Sequence, residues 1–310
     1  MTGTATSIPA FWRKAQNWAD KARWGFRVVG VSETLRGAAR MSYLYLRRPK
    51  SSELQLRSGQ ILEFGFPHQV PKALLMFGDF IDPEFPLLRR IARPDWVVAD
   101  IGAAIGQFTL FAATLPVTSV HAFEPGAVNV AVLARNVEHN GVGGRVHIHK
   151  LAFSSEESES YFETTARTWM GGLSDTGTEL VSVRTLTAEF ERLGLDRVSV
   201  LKINVAGYEP KVLEGADRFL ARGGADVLVL LLGLASLPWY GKLAAYGYRF
   251  FYYHPNENVL YEVVAFDADA VLAYRPWPAR NIVAIHQGVA KTVIDPSIQI
   301  RRIQRKATSG

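Results

Sequence analysis

The residues that carry the most chemistry are Asp100, Gly102, Gly106 and Glu124. Residues 97–113 read VVADIGAAIGQFTLFAA: an apolar run closing on an acid, a turn with two glycines, then an apolar-periodic segment free of Gly and Pro. That pattern predicts strand, tight turn and helix. Glycines at such a turn let the backbone approach a ligand where a Cβ would collide. A helix starting near Ile105 aims its unpaired N–H groups and positive dipole end at the same place. Glu124 ends the next apolar run, where a carboxylate can accept hydrogen bonds from a ribose diol. Together these residues predict a nucleoside-binding crevice at the carboxyl ends of a parallel sheet.

The glycine spacing separates the candidate cofactors. A dinucleotide site needs G-x-G-x-x-G to seat a pyrophosphate, and Ala104 stands where the second glycine of that fingerprint would be. An NAD-type oxidoreductase is therefore disfavoured. Asp100-x-Gly102-x-x-x-Gly106 with a following acidic strand end is the pattern of S-adenosylmethionine (SAM) sites, whose ligand has no phosphate. The plainer readings are an ordinary strand-to-helix turn and a membrane-helix packing motif. Glu124 speaks against the first, and Asp100 with the shortness of the apolar run against the second.

To position these residues, the chain must alternate strands and helices. Strands are predicted near 96–101, 118–123, 145–151, 198–204 and 226–232, and helices near 105–115, 126–140, 187–194 and 210–222. This alternation implies an α/β fold, a parallel sheet with helices on both faces. Tyr248–His254 and Arg280–His286 read as strands, with 259–266 as a further extended piece, closing one sheet edge. Residues 54–66 suggest a hairpin around Ser58-Gly59, and 72–93 a turn and helix leading into the core. Phe11–Val29 has Phe11, Ala15, Trp18 and Ala22 on one helical face, and 31–46 is a second amphipathic candidate that Pro49 stops. The expected organisation is a basic amphipathic helical extension (1–50), hairpin and helix (51–95), ligand-binding domain (96–290) and basic tail (291–310). Ser154–Ser160 (SSEESES) reads as a solvated turn.

Bulk properties narrow the class. The chain has 310 residues, is 48% hydrophobic and contains no cysteine, which excludes disulfides, thiolate nucleophiles and Cys-based zinc sites and is compatible with a reducing, cytoplasmic compartment. The first ten residues lack the regions of a secretory signal, and the run at 227–237 is too short to span a bilayer. The net charge of +6 is uneven: residues 1–50 carry +8, residues 301–310 carry +4, and the remainder is acidic at −6. Basic ends point to an anionic surface, a membrane periphery or an acidic partner. Nucleic acid is not expected, because the basic residues lie outside the catalytic body.

The chain resembles the FkbM-type SAM-dependent methyltransferases. The matching residues are DIGAAIGQFTL from Asp100, Ala122-Phe-Glu-Pro, Asn136 with Asn140-Gly141, and Leu151-Ala152-Phe-Ser. The most specific segment is KINVAGYE (202–209), continuing to Val212-Leu-Glu-Gly-Ala216. The resemblance implies a Rossmann-like class I methyltransferase sheet, mostly parallel, with an antiparallel C-terminal edge hairpin and an N-terminal helical extension. It also implies methyl transfer from SAM, usually to a hydroxyl of a small metabolite or glycan. Cofactor contacts are then expected from Asp100, Gly102, Ala104, Gly106, Glu124, Ala152 and Asn204. The chain departs from the family at Ala104, where Asn is usual, and at Asn204 and Ala206, where acids are usual. No acid ends the run Leu230–Gly233 either. A carboxylate-bound metal and a carboxylate base at those strand ends are therefore not expected. A catalytically degenerate SAM-binding scaffold is the alternative function.

A hydroxyl nucleophile must lose a proton, so a base helps. His254 is the candidate, at the ligand-binding end of the sheet if 248–254 runs parallel to the main strands; a loop histidine before Pro255 is the plainer reading. Asn204 is the second catalytic candidate, as a hydrogen-bonding group. Tyr208 and Glu209 are substrate-pocket candidates, Glu209 equally a cap for the helix beginning at Pro210. His147 and His149 share a strand face without an apparent third metal ligand, and His68 and His121 carry no signal.

Overall fold

The computed structural model describes residues 23, 25–163, 171–231, 234–266 and 281–303. The face formed by Phe11, Ala15, Trp18 and Ala22, and the last residues of the basic tail, lie outside this set. In chain order, a π-helical turn (Gly25–Val29) precedes α1 (Val31–Arg47) and the hairpin β1 (Ser51–Gln55) and β2 (Ile61–Gly65). Then come α2 (Lys72–Phe77), a 3-10 turn (Gly78–Ile81) and α3 (Glu84–Ile91). The main α/β core begins with β3 (Trp96–Ile101), α4 (Gln107–Ala113), β4 (Val117–Phe123), α5 (Ala127–His139) and β5 (Val146–His149). A side structure follows: β6 (Ala152–Phe153), β7 (Ser158–Glu163), β8 (Gly172–Leu173) and β9 (Glu179–Arg184). The core resumes with α6 (Leu186–Arg192), β10 (Val198–Ile203), α7 (Glu209–Gly215), α8 (Asp217–Ala221) and β11 (Ala225–Leu231). It closes with α9 (Leu237–Ala245), β12 (Tyr248–His254), β13 (Val259–Val263), β14 (Asn281–His286), α10 (Gln287–Val293) and β15 (Gln299–Arg302).

Among the described residues the main sheet has nine strands in the order β15-β13-β12-β14-β11-β10-β3-β4-β5. Strands β5, β4, β3, β10 and β11 are parallel, while β14 is antiparallel to both β11 and β12. Strand β12 therefore runs in the direction of β11. Both faces of the sheet are covered, which is why its strands read as nearly unbroken apolar runs. Val98, Val200, Val227 and Val229 face a core shared with Leu110, Phe111 and Leu133 of α4 and α5. Their neighbours Ala99, Ile101, Leu201 and Leu228 face the opposite core with Phe190, Leu213 and Phe219 of α6, α7 and α8.

The β1–β2 hairpin docks onto α5 through two asparagines one helical turn apart. Asn140 accepts from the Ile61 N–H (2.8 Å) and donates to the Ile61 carbonyl (2.8 Å). Asn136 does the same with Glu63 (2.8 and 3.0 Å) and also donates to the Ile105 carbonyl (2.8 Å). The two side chains thus complete the free edge of β2 in place of another strand, and tie the hairpin to the turn after β3.

Two expectations change. Residues 158–160, three of the seven read as a solvated turn, open β7, which pairs with β9 and β8 in a four-stranded second sheet. Only Phe162 of β7 is buried, so the strand has no apolar pattern to reveal it. The tail is not uniformly loose: β15 adds to β13 as a parallel edge strand, although all four of its side chains are exposed.

Candidate functional site

After Asp100 the chain turns through Gly102 (φ +78°), Ala104 (φ +50°) and Gly106 (φ +100°). A Cβ on Gly102 would lie 2.2 Å from the Asn204 carbonyl oxygen, so the turns after β3 and β10 touch backbone to backbone. The Gly102 and Ala103 N–H groups both donate to the Phe123 carbonyl (3.0 Å each), which pins the bend to the end of β4. Ala104 holds a left-handed conformation without glycine's freedom or asparagine's local hydrogen bonding.

The bend borders a hollow walled by Phe123, Glu124, Ala152, Phe153, Asn204 and Tyr208, with about 630 Å³ of atom-free space, part of it open to solvent. Glu124 is 5% exposed. Its Oε1 accepts from the Gly126 N–H and Asn129 Nδ2 (3.1 Å each), and its Oε2 from the Ala104 N–H (3.0 Å). A carboxylate has about four acceptor positions, so one remains for a ligand after these bonds. Burial pushes the Glu124 carboxyl above its ordinary pKa, and the three donors pull it back. Apolar walls from Phe123, Leu151 and Phe153 with one retained carboxylate acceptor suit a nucleoside, the base against the apolar side and the sugar against the acid.

The other expected residues fall differently. Asp100 lines neither this hollow nor its neighbour. Its Oδ1 is bound by Lys202 Nζ (2.6 Å) and its Oδ2 by Thr109 Oγ1 (2.7 Å), in a site with no solvent exposure. Asp100 and Lys202 are in register on adjacent parallel strands, so the pair locks β3 to β10 beneath the bend and is not a ligand contact. Gly106 is likewise part of the turn without lining a hollow; a Cβ there would meet Leu133 Cδ1 at 2.6 Å. Gly102, Ala104, Ala152 and Asn204 do line the first hollow.

Tyr208 lines the same hollow, its hydroxyl 3.2 Å from Ser154 Oγ, which places it on the nucleoside side. Glu209 lines neither hollow. It is 3% exposed and its Oε1 accepts from the Val205 and Gly207 N–H groups (2.9 and 3.2 Å), so it holds the Asn204–Gly207 turn together. His254 stands at the carboxyl end of the sheet, as its strand direction requires. It lies four strand steps from β3, about 19 Å, and its Nδ1 accepts from the Glu257 N–H (3.2 Å) within its own turn. It is not brought to the bend.

A second hollow shares Gly102, Ala104 and Asn204 with the first, so the bend forms the wall between them. Its far side is built by Asp82, Glu84 and Gln107, with Asn281 and Lys202. Sequence reasoning missed Asp82, Glu84 and Asn281. Asp82-Pro-Glu84 reads as an ordinary acidic helix start, and Asn281 is brought to the site only by the antiparallel insertion of β14. His121, His147 and His149 also meet, on β4 and β5: the His121 ring lies 4.9 and 5.4 Å from the other two, and His121 Nδ1 is 3.1 Å from His149 Nε2. Burial, with the neighbouring imidazoles, lowers the His121 pKa to about 4 and the His149 pKa in the same direction. Among the described residues no three His, Asp or Glu side chains are placed to hold a metal ion.

A doubly covered parallel sheet with an antiparallel β14 set between β11 and β12 defines a class I methyltransferase fold. Residues 100–250 match the methyltransferase FkbM domain. The 31-O-demethyl-FK506 methyltransferase FkbM of Streptomyces tacrolimicus is 32% identical over a stretch covering 40% of this chain and 61% of that protein. The chain thus spans less than two thirds of the length of the curated relative it matches. Methyltransferase FkbM from Methylobacillus flagellatus KT is similar in structure with a TM-score of 0.45 and 15% identity, covering 69% of this chain and 53% of that one. The precorrin-6y C5,15-methyltransferase of Geobacter metallireducens GS-15 gives a TM-score of 0.38 and 15% identity, covering 59% and 79%.

Proposed function

We propose that the protein transfers a methyl group from SAM to a hydroxyl of a small metabolite or glycan. The observation that carries this reading is the hollow in which Glu124 keeps a carboxylate acceptor beside an apolar wall and a glycine bend. Phe123, Leu151 and Phe153 would hold the adenine and Glu124 the ribose, and the bend at Gly102 would let the methionine end approach the backbone. The bound sulfonium supplies an already activated methyl group. The chain's own task is to align the acceptor, exclude water and receive a proton. The name of the Streptomyces relative, which places a methyl group on an oxygen, supports the hydroxyl acceptor. Calorimetry with SAM, S-adenosylhomocysteine and NAD tests the reading: the first two bind and NAD does not. No heat with either sulfur ligand overturns it.

A second reading, a SAM-binding scaffold without turnover, is favoured by Asn204 and Ala206 where the family carries acids. Formation of S-adenosylhomocysteine from hydroxylated acceptors separates the two. For location we propose the cytoplasm, at the periphery of an anionic membrane. Helix α1 buries Thr34, Gly37, Met41 and Leu44 but exposes Val31, Leu35 and Leu46 (58, 56 and 83%) along a second stripe, with Arg36 and Arg47 beyond it. An exposed apolar stripe flanked by cations suits an anionic lipid surface. Among the described residues no helix is long and apolar enough to cross a membrane.

A further inference from the structure

An acceptor hydroxyl needs somewhere to put its proton, and the ends of β10 and β11 supply no carboxylate. The second hollow brings carboxylates from another part of the chain. Glu84 opens α3, is 1% exposed, and its Oε1 accepts from Asn281 Nδ2 (2.5 Å). Asn281 pairs with Leu231 at the carboxyl end of β11, because β14 runs against the parallel strands. It is 5% exposed and lines the hollow, yet its Oδ1 has no hydrogen-bond partner among the described residues. An amide oxygen buried without a donor is costly, and it marks where a ligand donor belongs. Asp82, 3% exposed, is fixed by Gln107 Nε2 on its Oδ2 (2.6 Å) at the start of α4. Val70, Leu74 and Phe85 add apolar wall.

Resting on the methyl-transfer reading above, we propose that this hollow is the acceptor subsite and takes a polyhydroxylated small molecule of the sugar or cyclitol class. One hydroxyl donates to the Glu84 carboxylate and a neighbouring hydroxyl to Asn281 Oδ1, while the C–H face of the ring lies on Val70, Leu74 and Phe85. When the acceptor O–H bond breaks, its proton passes to Glu84 and the oxygen's electron pair forms the bond to the methyl carbon. The carbon–sulfur bond breaks and the donor leaves as a neutral thioether, so the proton on Glu84 completes the balance. Asn281 is a positioning residue, holding Glu84 and the second hydroxyl.

Saturation-transfer NMR on the full chain loaded with S-adenosylhomocysteine tests this, with glycerol, myo-inositol, methyl α-glucoside and methyl α-mannoside as probes. The expected result is transfer to at least one ring probe, with binding weakened about tenfold in Asn281→Leu, the loss of one good hydrogen bond. Glu84→Gln should keep S-adenosylhomocysteine binding but methylate the bound probe about a hundredfold more slowly. No saturation transfer to any probe from the loaded wild type overturns the subsite. A probe that binds but is not methylated by the wild type, or Glu84→Gln at wild-type rate, overturns the proton role. If calorimetry shows that the wild type does not take S-adenosylhomocysteine, the methyl-transfer reading fails first and the subsite with it.

Discussion

Replacing Glu124 by Gln isolates the contribution of one carboxylate while keeping its length. The amide oxygen can stay where the Gly126 N–H and Asn129 Nδ2 converge, but its Nε2 then faces the Ala104 N–H, two donors in contact where Ala104 now donates at 3.0 Å. One buried donor left unpaired costs about 1–3 kcal/mol. Against this, the buried charge that the site disfavours is removed. The net loss of folding stability should sit at the low end, about 1 kcal/mol. Ligand affinity has no such offset. A hydrogen bond from the ribose to a charged acceptor contributes about 1.5–3 kcal/mol, which is about ten- to a hundredfold in Kd. Because burial raises the folded pKa of Glu124, its stability contribution is present below the unfolded value and is lost as pH rises through the folded one. The variant should lack that slope. Calorimetry with S-adenosylhomocysteine gives the affinity, and urea unfolding at several pH values gives the stability. An unchanged Kd would refute the role of Glu124 in holding the ribose.

Other consequences are equally specific. Asn136→Leu removes three bonds to Glu63 and Ile105 and should cost about 2–4 kcal/mol in urea unfolding; a loss under about 1 kcal/mol would mean that water replaces them. Ala104→Gly relieves a left-handed alanine and should raise stability by about 0.5 kcal/mol, the steric gain less glycine's entropy cost, with a lower Tm counting against it. The His121 pKa is lowered to about 4 from 6.5, so the unfolded chain binds more protons between those values and stability falls as pH drops through that window. His121→Gln should flatten that acid limb in urea titrations, and an unchanged limb would contradict the assignment. Flotation with phosphatidylserine–phosphatidylcholine vesicles should capture the wild type and release Leu35→Glu/Leu46→Glu; equal flotation of both removes the membrane reading.

The core of the fold could be read from the sequence because its signals are local. The apolar run ending at Asp100, the glycine bend and the acid at 124 are contiguous features whose geometry follows from strand and helix periodicity. The hollow beside Glu124 was legible for the same reason. What escaped depended on partners distant in sequence. Asp100 looked like a ligand contact because an acid at a strand end commonly is one. Only the register of β3 against β10 brings Lys202 to one of its oxygens, while α4 brings Thr109 to the other. Glu209 read as a pocket residue or a helix cap, and the turn after β10 instead donates two backbone N–H groups to it. His254 was placed at the correct end of the sheet, but sequence does not encode how many strands separate it from the bend. Asn136 and Asn140 stood out through the resemblance, although their amides serve as the missing neighbour of β2. The polar strand β7 and the pairing of Glu84 with Asn281 had no periodic signal at all.

The central claim is that a nucleoside lies across the ends of β3 and β4 with its ribose on Glu124. A crystal structure of the protein with S-adenosylhomocysteine tests it most directly. The account predicts ribose hydroxyl oxygen within hydrogen-bond distance of Glu124, adenine beside Phe123 and Phe153, and the homocysteine tail passing over Gly102. A ligand bound elsewhere, or density in this hollow only for rearranged side chains, would contradict it.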